Sequence, residues 1–200
     1  MSRLSDVRIV TKVTIPLLLV AAVAAGLVYR AHGVFDELGE KTRHIVDVQS
    51  SRLENILNVR TNVLEATVQS RNILIEDRPP EIAMYRSRYD EAVRHAFVAV
   101  DRLIALSDSP ERRVINQKLH ETVEAYFHIV GRANAAALDG DAETARRILL
   151  SEGLAARTKV RDLVQPRIDN LTAELAQAKA EAPTSAERAT TVLDTAAVAG

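Results

Sequence analysis

The stretch IAMYRSRYDEAVRHAFVAVDRL, residues 82–103, decides the fold. In it Ile82, Tyr85, Tyr89, Ala92, Ala96, Val100 and Leu103 recur at intervals of three and four. That spacing gathers the apolar side chains on one face of an α-helix and would scatter them over both faces of a strand. The segment is therefore expected to be a helix that buries one stripe against neighbours.

The flanking chain repeats the rhythm. Ser107-Asp108-Ser109-Pro110 closes this helix and opens the next, with Ser109 as N-cap and Pro110 at the first helical position, where a missing amide costs nothing. The third segment carries Ile115, Leu119, Thr122, Tyr126, Ile129, Ala133 and Ala136 as its expected core stripe. Asp139-Gly140-Asp141 is a tight turn, and Asp141 is placed to cap a last helix running to about Ala182. That helix bears Leu149, Val160, Val164, Ile168, Leu171 and Leu175, and is expected to be interrupted at Gly153 and Pro166. Upstream, a first segment from Phe35 to Asp77 contains no proline, and its stripe includes Leu38, Ile45, Leu53, Ile56, Val63, Ala66 and Ile73. Asp77-Arg78-Pro79-Pro80 stops it. No segment alternates with period two for long enough to be a strand. Short connections between long amphipathic helices predict an all-α, antiparallel up-down-up-down four-helix bundle in which the first and last helices are the longest.

Composition agrees. The 200 residues include only 7 Gly and 6 Pro, too few for the turns of a many-stranded fold. With no cysteine, disulfides, thiolate metal sites and cysteine nucleophiles are excluded. A net charge of −1 argues against a nucleic-acid partner.

Ahead of the helices, residues 13–29 (VTIPLLLVAAVAAGLVY) carry no charge. Such a run is roughly 26 Å long as a helix, at the short end of what crosses a bilayer. Arg3, Arg8 and Lys12 precede it, so residues 1–12 are expected to stay in the cytoplasm and the chain after residue 29 to face outward. Ala22-Val23-Ala24 has the small-x-small form of a signal-peptide cleavage site, but the apolar run continues past it to Tyr29, which favours a retained anchor. The expected organisation is a basic flank (1–12), a transmembrane anchor (13–29), a periplasmic bundle (30–182) and a tail (183–200) returning to the membrane, ahead of any second crossing.

Two local motifs carry a resemblance. Ser70-Arg71-Asn72-Ile73-Leu74-Ile75-Glu76-Asp77 is similar to an Arg-Asn-x-Leu signature, and Gly140-Asp141-Ala142-Glu143-Thr144-Ala145-Arg146 to a Gly-Asp-x-x-x-Ala helix opening. Together with the anchor and the helix pattern they resemble the four-helix-bundle sensor domain of bacterial methyl-accepting chemotaxis receptors. The resemblance implies an inner-membrane, extracytoplasmic ligand sensor, dimeric through its first helix, whose last helix shifts when a small solute binds. It also implies that an arginine of the first helix holds a ligand carboxylate, a role the planar donors of a guanidinium suit. Arg71 is the candidate, with Arg147 and Ser151 on the last helix at a similar height; the ligand is expected to be an organic acid or amino acid. A HAMP linker, methylated hairpin and output domain, parts of the whole receptors, do not occur in these 200 residues.

Other constellations are weaker. Glu91/His95 and Glu124/His128 have helical i,i+4 spacing, but a di-iron bundle needs Glu-x-x-His on two helices, and His-Glu-x-x-His is absent. His120-Glu121 lacks the proline and the glycine-rich ATP site that a histidine kinase would show. No nucleophile–base pair or phosphate loop is present, so neither an enzyme, a resident cofactor nor a metal is expected. The alternative to a sensor is an anchored helical scaffold whose apolar stripes recruit another protein.

Overall fold

The computed structural model describes the backbone of residues 3–198 and the side chains of residues 44–180, together with those of 14–23, 25, 26, 29 and 30. Every described element is helical: α1 (Arg3–Ile75), α2 (Pro79–Ala105), α3 (Pro110–Leu138), α4 (Ala142–Ile148), one π-helical turn (Leu149–Gly153) and α5 (Leu154–Val198). The protein is all-α. Two compact units are present, one formed by α1 up to Val46 with α5 from Gln177, the other by Asp47–Ala176.

The expected anchor lies inside α1, which runs through Pro16 without a break. Its described apolar side chains, among them Ile15, Leu17, Leu18, Leu19, Val20 and Val23, are all exposed; the side chains of Val13, Ala24, Leu27 and Val28 lie outside the described ones. Among the described residues no helix is long and apolar enough to cross a membrane. The tail 183–200 also lies outside the described side chains, although the α5 backbone continues past Ala182 to Val198.

Within Asp47–Ala176, four helical segments bury one stripe each into a common core. Ile56, Val59, Val63 and Ala66 come from α1, Ala92, Ala96, Val100 and Leu103 from α2, Leu119, Val123, Tyr126 and Val130 from α3, and Val160, Val164 and Leu171 from α5. Each fully buried aliphatic side chain contributes about 1.5–3 kcal/mol. The sense of neighbouring segments can be read from side-chain contacts. Tyr89 meets Phe127 edge-to-face at 6.5 Å while Asn116, eleven residues earlier on α3, reaches the Leu103 carbonyl at 2.7 Å, so α2 and α3 run oppositely. Arg132 pairs with Glu152 at 3.0 Å and Arg112 with Glu174 at 3.0 Å, so α3 and α5 do too.

The ends form as the local chemistry dictates. Ser109 Oγ accepts from the Arg112 amide at 3.1 Å, and Asp141 Oδ1 from the Thr144 amide at 3.0 Å. Gly140 closes α3 with φ +84°, letting its own amide reach the Ala137 carbonyl (3.1 Å) and that of Asp141 the Ala136 carbonyl (2.9 Å), a Schellman arrangement. At the other end of the unit, the guanidinium of the buried Arg52 donates to the Leu106 carbonyl and to Asp108 (3.0 Å). Arg112 bridges Asp108 and Glu174. This network ties α1, the α2–α3 turn, α3 and α5.

Two expectations need correction. The α3 stripe keeps Leu119, Tyr126 and Ala133 buried as expected and Ile129 packed against the core, but Ile115 is exposed, Thr122 is only half-buried, and Val123 and Val130 are buried in addition. Asn116 takes the inward place at the start of α3 because α2 ends there with unpaired carbonyls. Its Nδ2 donates to the Leu103 carbonyl (2.7 Å) and to Ser107 Oγ (2.8 Å), whose own proton goes to the same carbonyl. The last α-helix is interrupted at Gly153 as expected, by the π turn that ends there, but α5 passes through Pro166 without the second interruption.

Leu119→Ala is expected to lower the stability of the fold by about 2–5 kcal/mol, and Ile115→Ala on the same helix by less than about 0.5 kcal/mol. Urea denaturation followed by circular dichroism separates the two.

Candidate functional site

The α1 sequence from Thr67 to Leu74 places small polar side chains inward where the core would otherwise continue. Ser70 is buried and its Oγ donates to Asn134 Oδ1 at 2.6 Å. Thr67 Oγ1 donates to the Val63 carbonyl at 2.7 Å, so the 2.6 Å contact with Tyr126 is made by the phenol proton pointing at Thr67. Burial pushes the Tyr126 phenol above its ordinary range, opposed by the hydrogen bond to Thr67 and by the positive charges of Arg157 and Arg71. The ring stays neutral at physiological pH and keeps lone pairs for a further donor.

Around these hydroxyls lies a cavity of about 250 Å³. Thr67, Ser70, Arg71 and Leu74 of α1 form one wall, Tyr126 and Val130 of α3 the floor. Arg146 of α4, Leu149, Leu150 and Gly153 of the π turn, and Leu154 and Arg157 of α5 form the other wall. Three arginines line the cavity and no carboxylate does. Among the described residues, Arg71, Arg146 and Arg157 make no ion pair, whereas Arg52, Arg78, Arg112, Arg132 and Arg161 each have one. Glu76, the nearest acid after Arg71 in sequence, is occupied. Its Oε1 accepts from the Asp77 and Arg78 amides at 3.1 Å and from Arg78 Nε at 2.8 Å, and Oε2 from Arg78 Nη2 at 2.8 Å. Chiefly through the Arg78 side chain, its carboxyl is held down to about 2.

Such an arrangement suits an anion with apolar substance. Guanidinium donors supply charge-assisted hydrogen bonds, and the leucines and Val130 supply apolar contact beside them. One wall is a π turn, a rare element that concentrates at functional sites.

Of the residues singled out from the sequence, Arg71 lines this cavity; Arg147 and Ser151 do not. Both are exposed, and Ser151 Oγ donates to the Arg147 carbonyl at 2.7 Å. Arg146 and Arg157 stand there instead. Their signal was present, since 146, 150, 154 and 157 follow the four-four-three spacing of one helix face. The histidines are placed otherwise: His120 packs on Phe97 with ring centroids 5.2 Å apart and faces Asp101 at 3.7 Å, and His95 and His128 are exposed. Among the described residues no group of three or more His, Asp or Glu is arranged to hold a metal ion. No family model matches the chain, and no curated protein matches it.

The Glu76 carboxyl is expected to titrate near pH 2, and Arg78→Ala to move its midpoint back toward the ordinary 4.5. Because the folded value is the lower one, the stability it confers is present above pH 4.5 and fades as pH falls toward 2. Side-chain carboxyl NMR shifts followed against pH read both midpoints.

Proposed function

We propose that this protein is an extracytoplasmic ligand-sensing module of a chemotaxis- or signal-transduction-type receptor, binding a small anionic solute in the Arg71–Arg146–Arg157 cavity. The observation that carries the reading is the convergence of three arginines, without ion pairs among the described residues, on one cavity whose lining holds no carboxylate. Holding like charges together unneutralised is unfavourable, and a bound organic acid or amino-acid carboxylate would relieve it. The role is binding rather than catalysis, since the cavity holds donors but no acid, base or nucleophile poised for chemistry.

In this reading the four segments of Asp47–Ala176 form an up-down-up-down bundle, supported by the opposed senses of α2 against α3 and of α3 against α5. Residues 13–29 are the membrane anchor, with residues 1–12 cytoplasmic and the bundle in the periplasm. Support comes from the basic flank and from apolar side chains exposed around the helix, a pattern that suits lipid and not water. A second copy of the chain is the proposed partner of α1. Leu57, Leu64, Val68 and Ile75 are exposed there at intervals of seven, four and seven, the register of a coiled-coil seam, and Arg71 lies on the same seam. Ligand in the cavity contacts both α1 and the α4–α5 wall, so it favours whichever arrangement of the two closes the guanidinium donors on it, and that difference in affinity is the signal. The apolar seam also suits the second reading, a helical scaffold, which needs no occupant in the cavity.

Calorimetric titration of the full chain with a panel of organic acids and amino acids is expected to find a binder whose affinity falls at least tenfold in Arg71→Ala and in Arg146→Ala. Arg147→Ala is expected to leave it unchanged. Binding that survives loss of Arg71 and Arg146 would remove the cavity from the mechanism and leave the scaffold.

A further inference from the structure

Directly beyond the first cavity, along the same α1–α5 groove, lies a second of about 370 Å³. The two are continuous in their lining, because Leu154 and Arg157 wall both. The second has an apolar middle, with Val63 and Leu64 of α1 facing Leu154, Val160 and Val164 of α5, and carries Thr158 and Gln165 beside it. Cations stand at it too: Arg60, which makes no ion pair among the described residues, and Arg161, which has Asp162 at 2.8 Å. Neither lining contains an acidic residue. Arg60 and Arg71 are eleven residues apart on α1, roughly 16 Å along the helix.

Accepting the anion site proposed above, we infer that the two cavities are one elongated site for a two-headed ligand, a linear α,ω-dicarboxylate. One carboxylate sits among Arg71, Arg146 and Arg157, the methylene chain lies over Leu154 between Val63 and Val164, and the second carboxylate meets Arg60. The chemistry of the walls dictates this order. A short, fully polar solute would leave the valine- and leucine-lined part in contact with nothing, and a fatty acid would leave Arg60 unanswered at the far end. Charge at two ends with hydrocarbon between them matches both. Arg157, common to both cavities, is the point at which chain length is measured.

The test compares succinate, adipate, suberate and sebacate with decanoate, by calorimetry on the full chain in zwitterionic-lipid nanodiscs, for the natural protein, Arg60→Gln and Arg71→Ala. Arg60 is an exposed residue of α1, so its replacement leaves the core intact. Sebacate is expected to bind at least about tenfold tighter than either succinate or decanoate, the size of one charge-assisted contact. Arg60→Gln should abolish that advantage while leaving decanoate unchanged, and Arg71→Ala should weaken every carboxylate. Equal affinity for succinate and sebacate, or sebacate binding indifferent to Arg60, overturns the two-headed site. If those short acids still depend on Arg71, the upper cavity keeps its role. If no organic or amino acid binds at all, the anion-sensing reading falls together with this one.

Discussion

Each long helical segment of the Asp47–Ala176 unit has one stripe it can bury, and the meeting of those stripes is the constraint on which the rest depends. Val59, Val100, Leu119, Val123 and Val160 are buried to the last few per cent of their surface, and between them stand alanines rather than bulky residues: Ala66, Ala92, Ala96 and Ala99. Small side chains at these positions let helix backbones approach closely, so the core is set by interdigitation and not by a few large anchors. Aromatic rings enter from α2 and α3, with Phe127 packing on the rings of Tyr89, Phe97 and Tyr126.

Where the stripe ceases to be apolar, the structure turns to polar satisfaction, and it does so differently at two levels. Near Arg52 the guanidinium groups of Arg52 and Arg112 meet acceptors from other segments, the Leu106 carbonyl, Asp108 and Glu174, while Arg167 Nε and Nη1 are buried there without a hydrogen-bond partner among the described residues. Burial and the neighbouring Arg112 lower the affinity of Arg167 for its proton there, with Glu174 opposing them. That level is a tie between helices. Near Ser70 the hydroxyls are satisfied among Thr67, Tyr126 and Asn134, but the arginines above them have no acids to meet. The ion pairs of the first level join helices, and under the proposed function the cations of the second await an anion.

The π turn sits between these ideas. It adds one residue to the wall that carries Leu149, Leu150 and Gly153, and the lining side chains of α4 and α5 sit on either side of it. A turn with that geometry is rare and occurs mostly as a single turn inside an α-helix, as it does here. Under the proposed function it is the natural place for a ligand to bias the register of α5 against α1.

Much of this was open to reading from residue order alone, because the forces concerned act over a few positions. Ser109 and Asp141 cap amides three residues away, Gly140 alone tolerates the left-handed turn after α3, and the three-four spacing of Tyr89, Ala92, Ala96 and Val100 names a buried face without knowledge of what covers it. Arg71 could be singled out for the same reason, as a cation near a helix end. Tertiary structure alone settled which neighbours it meets. Successive residues of a helix differ by about 100° in direction; the spacing of 146, 150, 154 and 157 groups them on one face, but that this face and not that of Arg147 meets the cavity is set by packing against α1 and α3. Asn116 displaces Ile115 from the core because α2 happens to end beside it. Arg157 and Arg60 come into one groove only because α1 and α5, a hundred residues apart in sequence, must bury their stripes together.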